Sequence, residues 1–125
     1  MATTNLTADS FGTTVEQNDI VFVDFWAAWC PPCRAFAPVF DKASQEHPGI
    51  LFGKVDTEAE QQLAATARIT SIPTLMAFRD QILVFSRPGA LNGRQFEQLI
   101  DTIQKLDMDE VRRSIDAESA PSSRA

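Results

Sequence analysis

Several large classes of protein leave marks that this sequence lacks. Only two cysteines occur in 125 residues, too few for the disulfide framework of a small secreted scaffold, and a reducing cytosol does not favour a purely structural bridge. The single histidine, His47, stands in a helix-terminating turn, and there is no second cysteine pair or histidine cluster to complete a metal site. Basic residues are the minority, eleven against seventeen acidic for a net charge of −6. That balance repels phosphate backbones and anionic bilayers, so neither nucleic acid nor membrane is expected as a partner. The first basic residue is Arg34 and no apolar stretch follows Met1, so nothing marks export and the expected compartment is the cytoplasm. The most apolar run, Ile20 to Cys30, is interrupted by Asp24 and falls short of the roughly 20 residues of a membrane helix. No internal repeat is visible.

What is present reads as one domain with one hydrophobic nucleus. Leu6 and Phe11 bracket Thr7 as a staple around a helix cap, predicting a helix to about Gln17. Ile20 to Phe25 is β-branched and aromatic almost throughout, the pattern of a central strand covered on both faces. Phe36, Val39, Phe40 and Ala43 recur at helical spacing until His47-Pro48-Gly49, with Pro38 inside that helix expected to kink it. A second central strand is expected over Ile50 to Val55. Thr57-Glu58-Ala59-Glu60 reads as a capping box that opens a helix carrying Leu63, Ala64 and Ala67. Thr74 to Phe78 and Ile82 to Ser86 form a hairpin about Arg79-Asp80-Gln81. Gly89 breaks the chain, Asn92 caps, and Phe96, Leu99, Ile100, Ile103 and Leu106 line one face of a final helix. The fold class is α/β, a central mixed sheet flanked by helices on both faces. The domain is expected over residues 1–106. Residues 107–125 form a C-terminal extension, where Met108, Val111 and Ile115 prolong the last helix and Ala117 to Ala125 fray.

The chemistry concentrates in Trp29-Cys30-Pro31-Pro32-Cys33-Arg34, at the junction of the first central strand and the second helix. A cysteine at a helix N-terminus, expected to face solvent, has its thiolate stabilised by unpaired N–H groups and the positive dipole end. The two-residue spacing puts Cys33 about one turn away, within disulfide reach. Cys30 then attacks a substrate disulfide, and Cys33 resolves the mixed disulfide without a bound cofactor. Asp24 is the second anomaly, a carboxylate within an apolar strand, where burial raises its pKa. It is the candidate acceptor of the Cys33 proton. Lys54 in the adjoining strand is its candidate partner, and a structural ion pair is the plainer alternative. Ile72-Pro73-Thr74 sets a proline at a strand entry, where either a cis bond or an ordinary strand-edge proline fits.

Together, Trp29-Cys30-x-Pro32-Cys33 after Val21-x-Val23-Asp24-Phe25-Trp26-Ala27, with Lys54-Val55-Asp56, Ser71-Ile72-Pro73-Thr74 and Gly89-Ala90, resemble the thioredoxin family over about residues 5–106. Mycobacterial and other actinobacterial members are the most similar in pattern. The resemblance implies a thioredoxin fold, with Cys30 as nucleophile, Cys33 as resolving cysteine, Asp24 as buried acid and Lys54 as its neighbour. It implies a cis Ile72-Pro73 bond and a substrate groove formed by Trp29, Pro31, Pro32, Ile72, Pro73, Gly89 and Ala90, which hold an extended segment through backbone hydrogen bonds. It also implies a monomer acting on disulfide-containing proteins, with no bound cofactor or metal and with electrons from NADPH through a flavin-containing thioredoxin reductase. Three departures stand out. Pro31 replaces a glycine between the cysteines, Gln81 occupies a hairpin position usual for glycine, and Pro88 precedes Gly89. Trp-Cys-Pro-Pro-Cys-Arg also looks like the tryparedoxin and nucleoredoxin branch, so a glutathione-linked oxidoreductase is one alternative. A thioredoxin-fold binding protein without thiol turnover is another.

Overall fold

The computed structural model describes residues 2–119. In chain order the elements are β1 (Thr3–Asn5), α1 (Ala8–Gln17), β2 (Ile20–Trp26), α2 (Pro31–Glu46), β3 (Leu51–Asp56), α3 (Gln61–Thr66), β4 (Thr74–Arg79), β5 (Ile82–Pro88), α4 (Gly93–Gln104) and α5 (Met108–Ser119). The sheet has five strands in the order β1-β3-β2-β4-β5. β2 pairs in parallel with β3 and antiparallel with β4, which places it at the seam between the two kinds of ladder.

Alternation along β2 sends its side chains to two different layers. Val21, Val23 and Phe25 join Leu6, Val55 and Met76 on one face, covered by Phe11 of α1 and Leu63 of α3. Phe22 points the other way, into a cluster with Phe36 and Phe40 of α2, Phe52 of β3 and Phe96, Ile100 and Ile103 of α4. The rings there meet mostly edge to face, as Phe22 does with Phe96 at 5.5 Å between centroids, an arrangement that adds to the burial term.

Local sequence accounts for most element ends. Thr7 caps α1 and Asn92 caps α4, each through a box completed from three residues on, by Ser10 and Gln95. Asp80 and Gln81 both adopt positive φ, 52° and 71°, the geometry of a two-residue hairpin turn. Gly53 is needed for close approach: Leu6, whose N–H bonds the Lys54 carbonyl at 2.8 Å, lays its side chain where a Cβ on residue 53 would stand.

The strand β1 is three polar residues at a sheet edge and shows no hydrophobic period, and four expectations are corrected. Thr57 does not cap α3; its hydroxyl and N–H both bond the Trp26 carbonyl, and the helix starts after Glu60, which gives no side-chain cap. The Asp56 carboxylate instead accepts the N–H groups of Glu58 and Ala59. Arg79 belongs to β4 rather than to the turn. Residues from Met108 do not prolong α4 but start a separate α5, since Arg79 reaches the carbonyls of Ile103, Gln104 and Leu106 and closes off the helix end. The terminal stretch expected to fray is helical to Ser119, and its remainder, 120–125, lies outside the described residues.

Candidate functional site

The strand β2 delivers the chain to the head of α2, and there the two cysteines meet. Cys30 is the N-cap of α2 and its sulfur accepts the Cys33 N–H at 3.2 Å. Pro31 and Pro32 occupy the first helical positions, where the missing N–H groups would have had no intrahelical partner. They leave the Cys33 N–H as the first backbone donor of the helix able to reach the sulfur. Cys30 and Cys33 form a disulfide, with Cα atoms 5.2 Å apart. The guanidinium of Arg34 fastens the approach loop by donating to the Ala28 carbonyl at 2.9 Å.

Cys30 was expected to face solvent, and it does not. It is 2% exposed and Cys33 3%, both packed with Ala27 against Trp26 and Ile72. The cover is supplied by the neighbouring loop: the Cys30 sulfur lies 3.7 Å from the Ile72 carbonyl oxygen. The Ile72-Pro73 bond is cis.

Alternation puts Asp24 on the same face of β2 as Phe22 and Trp26, toward α2. Asp24 is 1% exposed, and neither carboxylate oxygen has a hydrogen-bond partner. Burial pushes its carboxyl up from 3.8 to about 7, against an opposing pull from the Lys54 charge. Lys54 stands opposite Asp24 in the β2–β3 register. The structural ion pair, the plainer alternative from sequence, is not formed: the Lys54 Nζ lies over the Trp26 ring, 4.9 Å from its centroid, and is in none of the ion pairs found among the described residues.

Some of the residues expected in the groove line one depression. Trp29, 63% exposed, Cys30, Pro31, Pro32 and Ile72 line a depression of about 420 Å³ together with Thr57, Ala64, Ile69, Thr70 and Ser71. Pro73, Gly89 and Ala90 lie outside that depression. Pro73 is buried, and its carbonyl accepts the Gly89 N–H at 2.8 Å; Gly89 takes φ +105°, and both it and Ala90 are exposed. The α3 side of the depression has no signature in the sequence because its cause is a helix ending. Arg68 sits in the left-handed region at φ 59°, the Ile69 N–H returns to the Ala64 carbonyl, and the Arg68 N–H returns to Ala65. This is a Schellman closure with arginine where glycine is usual, and it sets Ala64 and Ile69 side by side.

The His47 Nε2 meets the Glu97 carboxylate at 2.8 Å. Among the described residues no group of three or more His, Cys, Asp or Glu side chains is arranged to hold a metal, and no helix is long and apolar enough to cross a membrane.

A family model described as Thioredoxin matches residues 2–112. The chain is 48% identical over 119 residues to putative thioredoxin 2 of Streptomyces coelicolor, covering 95% of this chain and 89% of that protein. It is 45% identical over 102 residues to thioredoxin 1 of a Nostoc species, covering 80% and 95%. Among solved structures, Plasmodium falciparum thioredoxin matches with a TM-score of 0.73 at 32% identity, over 79% of this chain and 97% of that one. A mutant thioredoxin from Halobacterium salinarum matches with 0.77 at 26% identity, over 82% and 91%.

Proposed function

The chain belongs to the thioredoxin family and is a thiol–disulfide oxidoreductase working by dithiol–disulfide exchange, and from that premise we propose which residues carry each step. Cys30, as thiolate, attacks one sulfur of a substrate disulfide; a mixed disulfide forms and the other substrate sulfur leaves as thiolate. Asp24 takes the proton of Cys33. The Cys33 sulfur then attacks Cys30, forming the internal disulfide and releasing the second substrate thiol, so two electrons pass from protein to substrate. Lys54 biases the charge on Asp24. Trp29, Pro31, Pro32, Ile72, Pro73, Gly89 and Ala90 hold the substrate segment.

The observation that carries this reading is the placement of Cys30 at the α2 N-cap, its sulfur accepting the Cys33 N–H, with the unpartnered Asp24 carboxyl buried in the strand that leads to it. A carboxyl held near pH 7 is suited to moving a proton at neutral pH. The protein works as a cytoplasmic monomer on disulfide-containing proteins and is recharged by NADPH through a thioredoxin reductase. Residues 1–106 carry the activity, with 107–125 as an extension.

The test is NADPH-coupled reduction of insulin disulfides with a thioredoxin reductase, beside equilibration against glutathione. Turnover is expected, with loss in Cys30→Ser and a trapped mixed disulfide in Cys33→Ser. Recharging by glutathione but not by the reductase would move the chain to the glutathione-linked alternative raised by Pro31. Function that survives loss of both cysteines would make it a binding protein.

A further inference from the structure

Trp26 takes no part in the exchange steps, yet it touches both halves of the site. Alternation along β2 places Asp24 and Trp26 on one face, and the register sets Lys54 opposite Asp24 and diagonal to Trp26. The ring packs against Ala27 and the two cysteines. Its backbone carbonyl is held by the Thr57 N–H at 2.9 Å and the Thr57 hydroxyl at 3.0 Å. Those bonds hold the backbone, while the indole N–H is buried without a hydrogen-bond partner.

An ammonium directly across a strand pair from a buried carboxylate would be expected to bond to it. Here both Asp24 oxygens lack a partner, and the ammonium lies over the indole, where the ring quadrupole attracts a cation. On α2, Cys30 and Cys33 are joined in the disulfide and do not titrate in this state. From β4 the register neighbour is Leu75. On β3, Asp56 is engaged with the N–H groups of Glu58 and Ala59.

We propose that Trp26 is a positioning residue: its ring draws the Lys54 ammonium away from Asp24 and so sets how readily the buried carboxyl releases its proton. The consequence for exchange rests on Asp24 being the acceptor of the Cys33 proton, whereas the coupling itself is read on Asp24 directly.

The experiment follows the Asp24 carboxyl carbon by NMR against pH in the oxidised full chain, for the parent, Trp26→Leu, Lys54→Met and the double variant. Trp26→Leu is expected to lower the Asp24 midpoint by about half a pH unit or more, as the freed ammonium turns to the carboxylate. In the Lys54→Met background the same change should lose most of that effect, since any cavity or hydration left by the smaller side chain is common to both. Trp26→Phe, which keeps a weaker ring, should fall between and serves as the arm that folds if Trp26→Leu does not. An equal shift in both backgrounds, or a rise, overturns the proposal. A resolution rate whose pH profile ignores the Asp24 midpoint would instead refute Asp24 as proton acceptor and leave the coupling standing.

Discussion

Replacing Asp24 by asparagine removes a group whose ionisation the fold resists, and the change in stability has a pH dependence that can be worked out. The carboxyl is 1% exposed, unpartnered, and raised from 3.8 to about 7 chiefly by burial. In the unfolded chain it titrates at its ordinary value. Between about pH 4 and 7 the folded state thus keeps a proton that the unfolded state has released, and the slope of stability with pH is negative. Below about pH 4 both states are protonated and the term vanishes. Above about pH 7 both are ionised and the full penalty stands. A separation of about 3 pH units, at about 1.4 kcal/mol each, puts that penalty near 4 kcal/mol. The amide is close in shape to the neutral carboxyl and equally unpartnered, so the two chains should be nearly matched at low pH. Asp24→Asn is then expected to gain progressively on the parent, ending a few kcal/mol more stable at about pH 8. Guanidinium unfolding of the oxidised chains at a series of pH values gives the difference curve directly, with the other carboxylates cancelling. A flat curve, or one running the other way, would mean that Asp24 is solvated or paired in the folded state, and its role as a buried proton acceptor would fall with it.

Other substitutions probe the frame around the site. Arg68→Gly relieves a left-handed residue at the end of α3 and should add about 1 kcal/mol, seen as a rise of about 4 °C in thermal midpoint; an unchanged or lower midpoint would deny the strain. Gly53→Ala puts a Cβ into the Leu6 side chain and should destabilise by about 1–3 kcal/mol, with partial recovery when Leu6 is shortened to Val. Without that recovery in urea unfolding, the contact is not the cause. Ending the chain after residue 106 removes α5 and its Arg112–Asp80 bridge at 2.9 Å, and insulin reduction should persist; a loss of turnover in the folded truncated chain would place α5 in the working unit.

Burial imposes a period on the residues it selects, and where it does so the fold is legible in the sequence. Val21 to Phe25, the α2 stripe of Phe36, Phe40 and Ala43, and the α4 stripe of Phe96, Ile100 and Ile103 all turn inward as their spacing requires. Legibility ends where polar groups choose among equally good partners. Thr57 satisfies a carbonyl of β2 instead of capping its own helix, a choice fixed by a strand 31 residues away in sequence. The edge strand β1 carries no stripe because only Leu6, just beyond it, is buried. At the site, the spacing of Cys30 and Cys33 and the oddity of Asp24 are plain from the residues alone. The burial of Cys30 under the Ile72 loop and the transfer of Lys54 from Asp24 to Trp26 are not, since both arise from segments brought together only by the sheet.

The strand order has a consequence for how this molecule comes apart. β1 and β5 are the outer strands and each leans on one neighbour, while β2 is laced on both sides, to β3 and to β4. Transient opening of a protein begins at such margins and reaches the interior only with global unfolding. Either margin can therefore breathe while the strand bearing Asp24, and running straight into the cysteine turn, stays shut. The redox centre hangs from the last part of the sheet to let go, so a partner tugging at the rim would loosen the periphery long before it disturbed the sulfur chemistry.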